Sequence, residues 1–473
     1  MLQNAYKNLS RIIVVSGIAS LVALFVGYGI ANLPPKTSLL LALGATLFIV
    51  AFAKTEYALY FLILAMLISP ELVVGAGEGV LYHGRQLVVR LDDLLLLVVG
   101  LSWLAKTAIY KELGLFRKTS LNRPILAYTL VCSFSTLLGA VFGRLDFTNG
   151  FFYVVKYIEY FIIYFMVVNH VREEAQIKRL LQVAFVTCFL VALFALYQIP
   201  TGGRVTAPFE GEGGEPNTLG GYLLFMFALS IGIYLNTSSV KGKLLWGGFS
   251  FLIFIPFLFT LSRSSWLAAV PMVLVFLILS PKRLWIAIFL IGGALLLPIL
   301  SPSVVKERVD YTFHQPYHSD QLTVWNKKLD TSASARLRSW QTGLRDWTKH
   351  PLFGYGITGY YFMDAQYVRT LIETGILGLG AFLWLLFSLF RESGRVYRQI
   401  GAHRWYYRGL VQGYIAGMVG LCVHCLGVNT FIIIRIMEPF WFFTGILVIL
   451  PRVLEGSKGY EPEAIGVKGG EQR

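Results

Sequence analysis

The chain has 473 residues, of which 56% are hydrophobic and only 14% are charged, and its mean hydropathy is +0.64. Soluble domains carry roughly 25% charged residues, so this composition excludes an ordinary soluble enzyme and indicates an integral membrane protein. The formal net charge of +15 is explained by basic loops on one membrane face, and we expect no nucleic-acid partner.

Apolar runs long enough to cross a bilayer recur along most of the chain. A helix needs about 20 residues to cross a hydrocarbon core of about 30 Å, and the runs are continuous, which favours helices over alternating barrel strands. We predict an all-α integral membrane protein, a bundle of about 12–14 transmembrane helices. The predicted spans are 12–33, 38–53, 57–70, 92–110, 124–142, 151–168, 179–199, 218–236, 244–261, 264–280, 284–301, 366–390, 409–427 and 430–450.

Lysine and arginine cluster in every second connection, for example around Arg117 and again from Arg391 to Arg408. Cytoplasmic loops collect such residues, so we expect both termini in the cytoplasm and the protein in the bacterial cytoplasmic membrane. The predicted segments are helices 1–11 within 1–301, a large extracytoplasmic loop at 302–365, helices 12–14 within 366–450 and a cytoplasmic tail at 451–473.

The cysteines all lie inside predicted spans, where packing is their usual role. The run "CVHC" at 422–425 offers three potential metal ligands in an apolar helix, one short of a structural zinc site. We therefore expect no metal site.

The outer loop contains a predicted amphipathic helix, "SASARLRSWQTGLRDWTKH" at 332–350. Apolar and aromatic side chains recur there at three- and four-residue spacing. Ser332 or Ser334 is expected to cap its start, and Pro351 to end it. Such a helix lies on a membrane surface or covers a cavity that opens there.

A glycine-rich run, "HPLFGYGITGYYF", follows this helix. Gly354, Gly356 and Gly359 allow a tight backbone with accessible N–H groups, which suits a loop at a phosphate-bearing ligand. An ordinary turn between two helices has the same pattern. The next run, "DAQYVRTLIETGILGLG" at 364–380, passes without a break from polar residues into an apolar helix, in which we expect Glu373 to neutralise Arg369 or a neighbouring span.

Several of these runs together resemble the bacterial O-antigen polymerase and ligase family, over about residues 200–390. They are "GGEPNTLGGYLLF" at 213–225, "LSRSSWLA" at 261–268, "ARLRSWQTGLRDWTKHPLFGYG" at 335–356 and "DAQYVRTLIETGILGLG". The resemblance implies a multi-span glycosyltransferase without a cofactor. Its implied partners are polyprenyl (undecaprenyl) diphosphate-linked oligosaccharides as donor and acceptor, membrane lipids and a chain-length regulator protein.

The sequence departs from the family pattern at one position. Many ligases of the family have a histidine nine residues before the helix glutamate, where this chain has Asp364. The loss of that histidine resembles the polymerase branch and puts a histidine-based mechanism in doubt. His314 and His318 are weak substitutes in the outer loop.

The arginines near these motifs are candidates for binding the lipid diphosphate. Arg263 and Arg336 are expected to clamp it, since a guanidinium pairs bidentately with phosphate and stays charged. Cations aimed at a leaving group that gains charge stabilise the transition state most. The alternatives are that Arg263 snorkels to the interface and that Arg336 is an ordinary solvated charge.

Asp364 is the candidate general base that takes the proton of the acceptor hydroxyl. Asp310, Asp320 and Asp330 compete for this role, and Asp364 alternatively only caps the next helix. The remaining candidates for substrate binding are Arg338, Arg204, Gln366, Tyr367, Arg369 and Gly356.

We therefore expect a polymerase that moves a growing glycan from a polyprenyl diphosphate onto a lipid-linked repeat unit, by direct displacement with inversion and without a metal. The first alternative is a ligase that uses another acceptor, such as lipid A core. The second is a transporter or flippase of lipid-linked sugars, which is disfavoured because the halves of the chain show no matched broken helices.

Overall fold

The computed structural model describes residues 17, 35–73, 88–109, 117–210, 214–315, 321–324, 327–328 and 330–456. The helices, in chain order, are α1 (Pro35–Ala53), α2 (Thr55–Ile68), α3 (Leu91–Ile109), α4 (Asn122–Val141), α5 (Phe147–His170), α6 (Glu174–Gln198), α7 (Pro216–Asn236), α8 (Val240–Phe259), α9 (Arg263–Leu279), α10 (Arg283–Leu300), α11 (Ser303–Phe313), α12 (Thr331–Trp347), α13 (Gln366–Gln399), α14 (Trp405–His424) and α15 (Ile434–Gly456). Two short antiparallel ribbons pair β1 (Glu71–Val73) with β2 (Val88–Arg90) and β3 (Thr323–Val324) with β4 (Lys327–Lys328).

Each predicted span from 38–53 onward overlaps one of these helices, whereas the span 12–33 lies, apart from Gly17, outside the described residues. Among the described residues, seven helices, α4, α5, α6, α7, α8, α13 and α15, are long and apolar enough to cross a membrane. A helix satisfies its own backbone hydrogen bonds, as hydrocarbon requires. The predicted all-α membrane class is confirmed.

Helices α7 and α14 touch backbone to backbone at the centre of the bundle. A Cβ added at Gly232 of α7 would lie 2.3 Å from the Gly409 carbonyl, and one added at Gly413 would lie 2.5 Å from the Ala228 carbonyl. Gly409 and Gly413 are four residues apart and so share one face of α14. Small residues at this spacing let two membrane helices approach closely.

Helix α13 is broken, which corrects the prediction that its polar start continues smoothly into the span. Gly375 has φ 68° and ψ −171°, a region that essentially only glycine adopts. The short first half, ending at Thr374, is therefore separated from the long apolar half, which begins at Ile376.

The segment 302–365, predicted as one large loop, is more helical than the sequence indicated. The predicted amphipathic helix is present as α12, but Asp330 caps its start by accepting a hydrogen bond from the Ala333 N–H at 3.0 Å. The prediction of Ser332 or Ser334 as the cap is wrong, because Ser334 instead accepts a bond from the Leu322 N–H. Helix α11 was missed because its mixed charges show little apolar periodicity.

Candidate active site

The glycine-rich loop is seated in the break of α13. In an unbroken helix the N–H groups of Ile376 and Leu377 would donate to the carbonyls of Ile372 and Glu373. Instead they donate to the loop carbonyls of Pro351 and Leu352, at 2.9 and 3.3 Å. The freed carbonyls accept from the loop N–H groups of Tyr355 and Gly356, at 3.0 and 2.8 Å. The two sequence runs therefore form one structural unit.

This arrangement uses the N–H groups that we expected to face a phosphate. The Gly354 and Gly359 N–H groups donate to the carbonyls of His350 and Gly356. Those of Ile357 and Thr358 donate to the side chains of Thr136 and Glu373. Gly356 is buried, and its N–H already donates to the Glu373 carbonyl. Its assignment to substrate binding stays a prediction.

Arg369 lies beneath the loop in a buried ion pair. Its Nε is 3.2 Å from Oε2 of Glu373, and each side chain is only 4% exposed. Its Nη2 also donates to the Tyr157 hydroxyl at 3.4 Å. The predicted pairing with Glu373 is thus confirmed. The group is enclosed by protein, and substrate binding by Arg369 stays a prediction.

Gln366 and Tyr367 also point into the protein. Gln366 is 0% exposed, and its Nε2 donates to Thr370 Oγ1 at 3.2 Å. The Tyr367 hydroxyl donates to the Cys422 carbonyl at 2.9 Å. The Tyr367 bond holds the start of α13 against α14, whereas the Gln366 bond lies within α13. Their position at a substrate cavity stays a prediction.

Asp364 differs from its neighbours because its side chain remains 40% exposed. Its backbone is fixed from two sides: Trp340 Nε1 donates to the Asp364 carbonyl at 3.0 Å, and the Gln366 N–H donates to the Cys425 carbonyl at 3.0 Å. Ala365 between them has φ 100°, a strained value for a non-glycine residue, of a kind that clusters at functional sites. The loop thus holds one accessible carboxylate in a defined place.

Arg336 lies next to this carboxylate. Its Nη2 is 3.6 Å from Oδ2 of Asp364, and its side chain is 27% exposed. Arg338 lies exposed on α12, and two residues along a helix turn it about 200° away from Arg336. Arg336 is therefore the arginine of α12 that faces the candidate base.

Three more arginines converge around the turn before α9. Arg204 donates through Nε to the Thr260 carbonyl at 3.0 Å and through Nη2 to that of Leu261 at 3.4 Å. Arg308 of α11 donates to the same Leu261 carbonyl at 3.4 Å. Leu261 adopts the left-handed φ of 50°. This strained turn gives Arg204, Arg308 and the adjacent Arg263 a common anchor.

The arginines of this group repel one another. Burial and the charges of Arg308 and Arg263 lower the pKa of Arg204, and burial and the charge of Arg263 lower the pKa of Arg308. Each stays cationic near neutral pH, because an arginine pKa starts above 12. An anion among them would relieve the repulsion.

Arg263 has one carboxylate partner in the described part of the chain, Asp330. Its Nη1 is 2.9 Å from Asp330 Oδ2, and the two side chains are 21% and 10% exposed. Because Asp330 also caps α12, this pair fixes the start of α12 to the start of α9. Asp330 is thereby a poor candidate for the general base, and so is Asp310, which pairs with His314 at 2.7 Å on the exposed surface. Asp320 and His318 lie outside the described residues.

Glu215 connects the two groups of charges. Burial, followed by the charge of Asp364, raises the pKa of Glu215, while Arg204 opposes this shift. Its side chain and that of Arg204 remain accessible to solvent although protein surrounds them. Glu215 thus interacts electrostatically with both Asp364 and Arg204. We call the region of Arg204, Arg263, Arg308, Glu215 and Asp364 the recess.

A buried series of hydrogen-bonded polar side chains connects the helices that carry these charges. His424 bonds Thr430 Oγ1 at 2.8 Å through Nδ1 and Ser265 Oγ at 3.1 Å through Nε2. Ser265 donates to Ser262 Oγ at 2.8 Å, and Ser262 donates to Asn217 Oδ1 at 2.7 Å. The histidine of the "CVHC" run therefore ties α14 to the first turns of α9 and α7, which carry Arg263 and follow Glu215.

Residues 248–383 match the family model described as O-antigen ligase. The resemblance to the O-antigen polymerase and ligase family is thereby confirmed, and it supports a glycosyltransferase-like enzyme with ligase or polymerase activity. No curated protein matches the chain at a significant level.

The matched domain, residues 248–383, contains most of the charges described above. Its bounds run from within α8 to within α13. It contributes Arg263, Arg308, Asp330, Arg336 and Asp364, whereas Arg204 and Glu215 come from the connection before α7, outside the matched residues. The recess is therefore completed by a part of the chain that the domain does not include.

Two residues of the recess were missed by the sequence analysis, Arg308 and Glu215. The runs that resemble the family gave no reason to single out either charged side chain, although Glu215 is part of the quoted run "GGEPNTLGGYLLF". The available signal was its position directly before a proline at the start of a span.

Proposed function

We propose that the chain is an O-antigen-type polysaccharide polymerase. It transfers a growing glycan from a polyprenyl diphosphate carrier onto the terminal sugar of a lipid-linked repeat unit. The observation that carries this proposal is the convergence of Arg204, Arg263 and Arg308 near Glu215 and Asp364, at the starts of α7, α9 and α13. One end of the recess is cationic, and the other holds carboxylates.

The arginine group suits the diphosphate of the donor. A guanidinium has five N–H donors, and the contacts of Arg204, Arg263 and Arg308 within the protein use only some of them. Donors already held in place by carbonyls and Asp330 need little reorganisation when a charged ligand arrives. The mutual repulsion of the arginines is relieved by a ligand that carries two or more negative charges.

The carboxylates suit the acceptor. In a direct displacement, the acceptor hydroxyl oxygen forms a bond to the anomeric carbon while the bond from that carbon to the diphosphate oxygen breaks. The hydroxyl proton passes to Asp364, and the bonding electrons leave with the polyprenyl diphosphate. Arg336 orients the carboxylate, and the arginine group stabilises the departing negative charge, so the reaction inverts the anomeric configuration and needs no metal ion.

A ligase is the second candidate, since the matched family model carries that description. The same donor recess would serve both reactions, and only the acceptor differs. We favour the polymerase because Asp364 stands where ligases of the resembled family carry a histidine. We place the recess on the outer face of the cytoplasmic membrane, with both termini in the cytoplasm, because the basic connections lie at the other end of the helices.

Purified protein in nanodiscs incubated with a lipid-linked repeat unit alone tests this proposal. We expect a ladder of products that persists in excess chelator. Transfer only after addition of a second acceptor would show a ligase. Movement of the lipid across a liposome bilayer without new glycosidic bonds would show a transporter, and either result would overturn the polymerase assignment.

A further inference from the structure

A second group of basic side chains lies at the end of the bundle opposite the recess. Helices α5 and α15 begin on the recess side, since Leu145, just before α5, packs against Gly356 and α15 follows the His424 network. Their C-terminal ends, with the C-terminal end of α3, therefore meet at the other end. Here helix dipoles present their negative poles, which favour cations.

Arg117 is the centre of this group. Its backbone N–H donates to Asn169 Oδ1 at 3.0 Å, and its Nη1 donates to the Val168 carbonyl at 3.4 Å, which fix it to the end of α5. It interacts electrostatically with Arg172 and with Arg452 of α15. A chain segment and two helix ends thus bring three guanidiniums together.

His170 and Lys106 extend the group. The His170 ring interacts electrostatically with Lys106, Arg172 and Arg117 and packs edge-on against Trp103, with ring centroids 6.4 Å apart. Lys106 Nζ donates to Thr55 Oγ1 at 3.3 Å. The basic groups are therefore held at fixed positions rather than spread along a disordered surface.

Within the described residues, these arginines are not balanced by carboxylates. None of the ion pairs found there involves Arg117, Arg172 or Arg452. Of the carboxylates at this end, Glu174 pairs with Lys178 and Arg404, and Glu392 pairs with Arg395. Glu173 and Glu455 are close in sequence to Arg172 and Arg452, but none of the ion pairs found in the described residues joins them. Burial lowers the pKa of Arg117, and the charges of Arg452 and Arg172 lower it further.

We propose that Arg117, Arg172 and Arg452 bind the phosphate of an anionic glycerophospholipid headgroup. The three guanidiniums offer bidentate donors to phosphate oxygens. The group lies where the helices end, which is the depth of the headgroups. Anionic lipids are attracted to basic residues at this surface. The apolar sides of α3 and α5 below, with exposed Leu101, Leu104 and Val155, suit acyl chains.

Native mass spectrometry of the purified protein with phosphatidylglycerol or phosphatidylcholine tests this site. We expect one phosphatidylglycerol to be retained more tightly than phosphatidylcholine. In the double variant Arg172→Gln/Arg452→Gln, its affinity should fall about 25-fold, since each basic residue contributes about fivefold. The matched control is Arg391→Gln/Arg398→Gln, which removes the same charge from exposed positions at the C-terminal end of α13 and should change affinity less than twofold.

Two further measurements test the site independently of the double variant. Arg452→Lys retains charge without the planar fork and should fall between wild type and Arg452→Gln, whether or not the double variant folds. Inorganic phosphate should compete only weakly. Equal losses in the site variant and its control, or binding of inorganic phosphate as tight as that of the lipid, would overturn the proposal.

Discussion

Arg336 Nη2 lies 3.6 Å from Asp364 Oδ2, which joins the amphipathic helix α12 to the start of α13. Trp340, one turn further along α12, donates to the Asp364 carbonyl. One face of α12 therefore holds both the side chain and the backbone of the candidate base.

Replacing Asp364 by Asn should reduce kcat by about 10²–10⁴-fold, the usual contribution of a positioned base. Donor affinity should stay within about twofold, because the amide keeps the shape and the arginine group is untouched. Initial rates and donor binding on the same preparation measure the two effects. Asp310→Asn, at an exposed carboxylate of the same loop, is the control. Full turnover in Asp364→Asn would remove this residue from the mechanism.

Arg308→Gln should weaken donor binding about 10–100-fold, since a hydrogen bond to a charged group contributes about 1.5–3 kcal/mol. The control is Lys306→Gln, on the same helix with an exposed side chain that donates to the Ile299 carbonyl. Both variants lose one positive charge, so only the placement of the group differs. The measurement is the Kd of each variant for glycan-free polyprenyl diphosphate. An equal loss of affinity in both variants would show that only the total positive charge matters and that Arg308 makes no specific contact.

Glu215→Gln should change how stability depends on pH. Because the pKa of Glu215 is raised above its usual value of 4.5, the folded state binds this proton more tightly than the unfolded state. The stabilising contribution is present below pH 4.5 and is lost as pH rises through the folded pKa. The variant should therefore gain Tm relative to wild type at pH 7 but not at pH 4. A pH-independent difference would contradict the position assigned to Glu215.

Gly375→Ala should destabilise the protein by about 1–3 kcal/mol through backbone strain alone, because the combination of φ 68° and ψ −171° is essentially exclusive to glycine. The new Cβ would also lie 2.2 Å from the Leu352 carbonyl. Gly380→Ala, in the same helix with nothing within 4 Å, should leave Tm unchanged or slightly higher. Scanning fluorimetry compares them, and a similar Tm for both would mean that the loop is not seated in the break.

The fold was largely predictable from the sequence, whereas the site was predictable only in part. Long apolar runs predict membrane helices directly, because a backbone in hydrocarbon must satisfy its own hydrogen bonds. The break at Gly375 was not visible, since glycines are common in membrane helices and the loop that replaces its hydrogen bonds lies earlier in the chain. Gln366 and Arg369 were placed at the substrate from their polarity, but buried polar side chains with internal partners have the same sequence signature.

The most direct test of the arginine recess is the turnover of a lipid-linked repeat unit by wild type and Arg263→Lys, with correct folding checked by Tm. Lysine keeps the positive charge but lacks the planar guanidinium. That group pairs with Asp330 and, in the proposed mechanism, with the phosphate. We predict that kcat/KM falls about 10²–10³-fold, as on removal of one transition-state donor. Near-normal turnover in Arg263→Lys, and also in Arg263→Ala, would contradict the account.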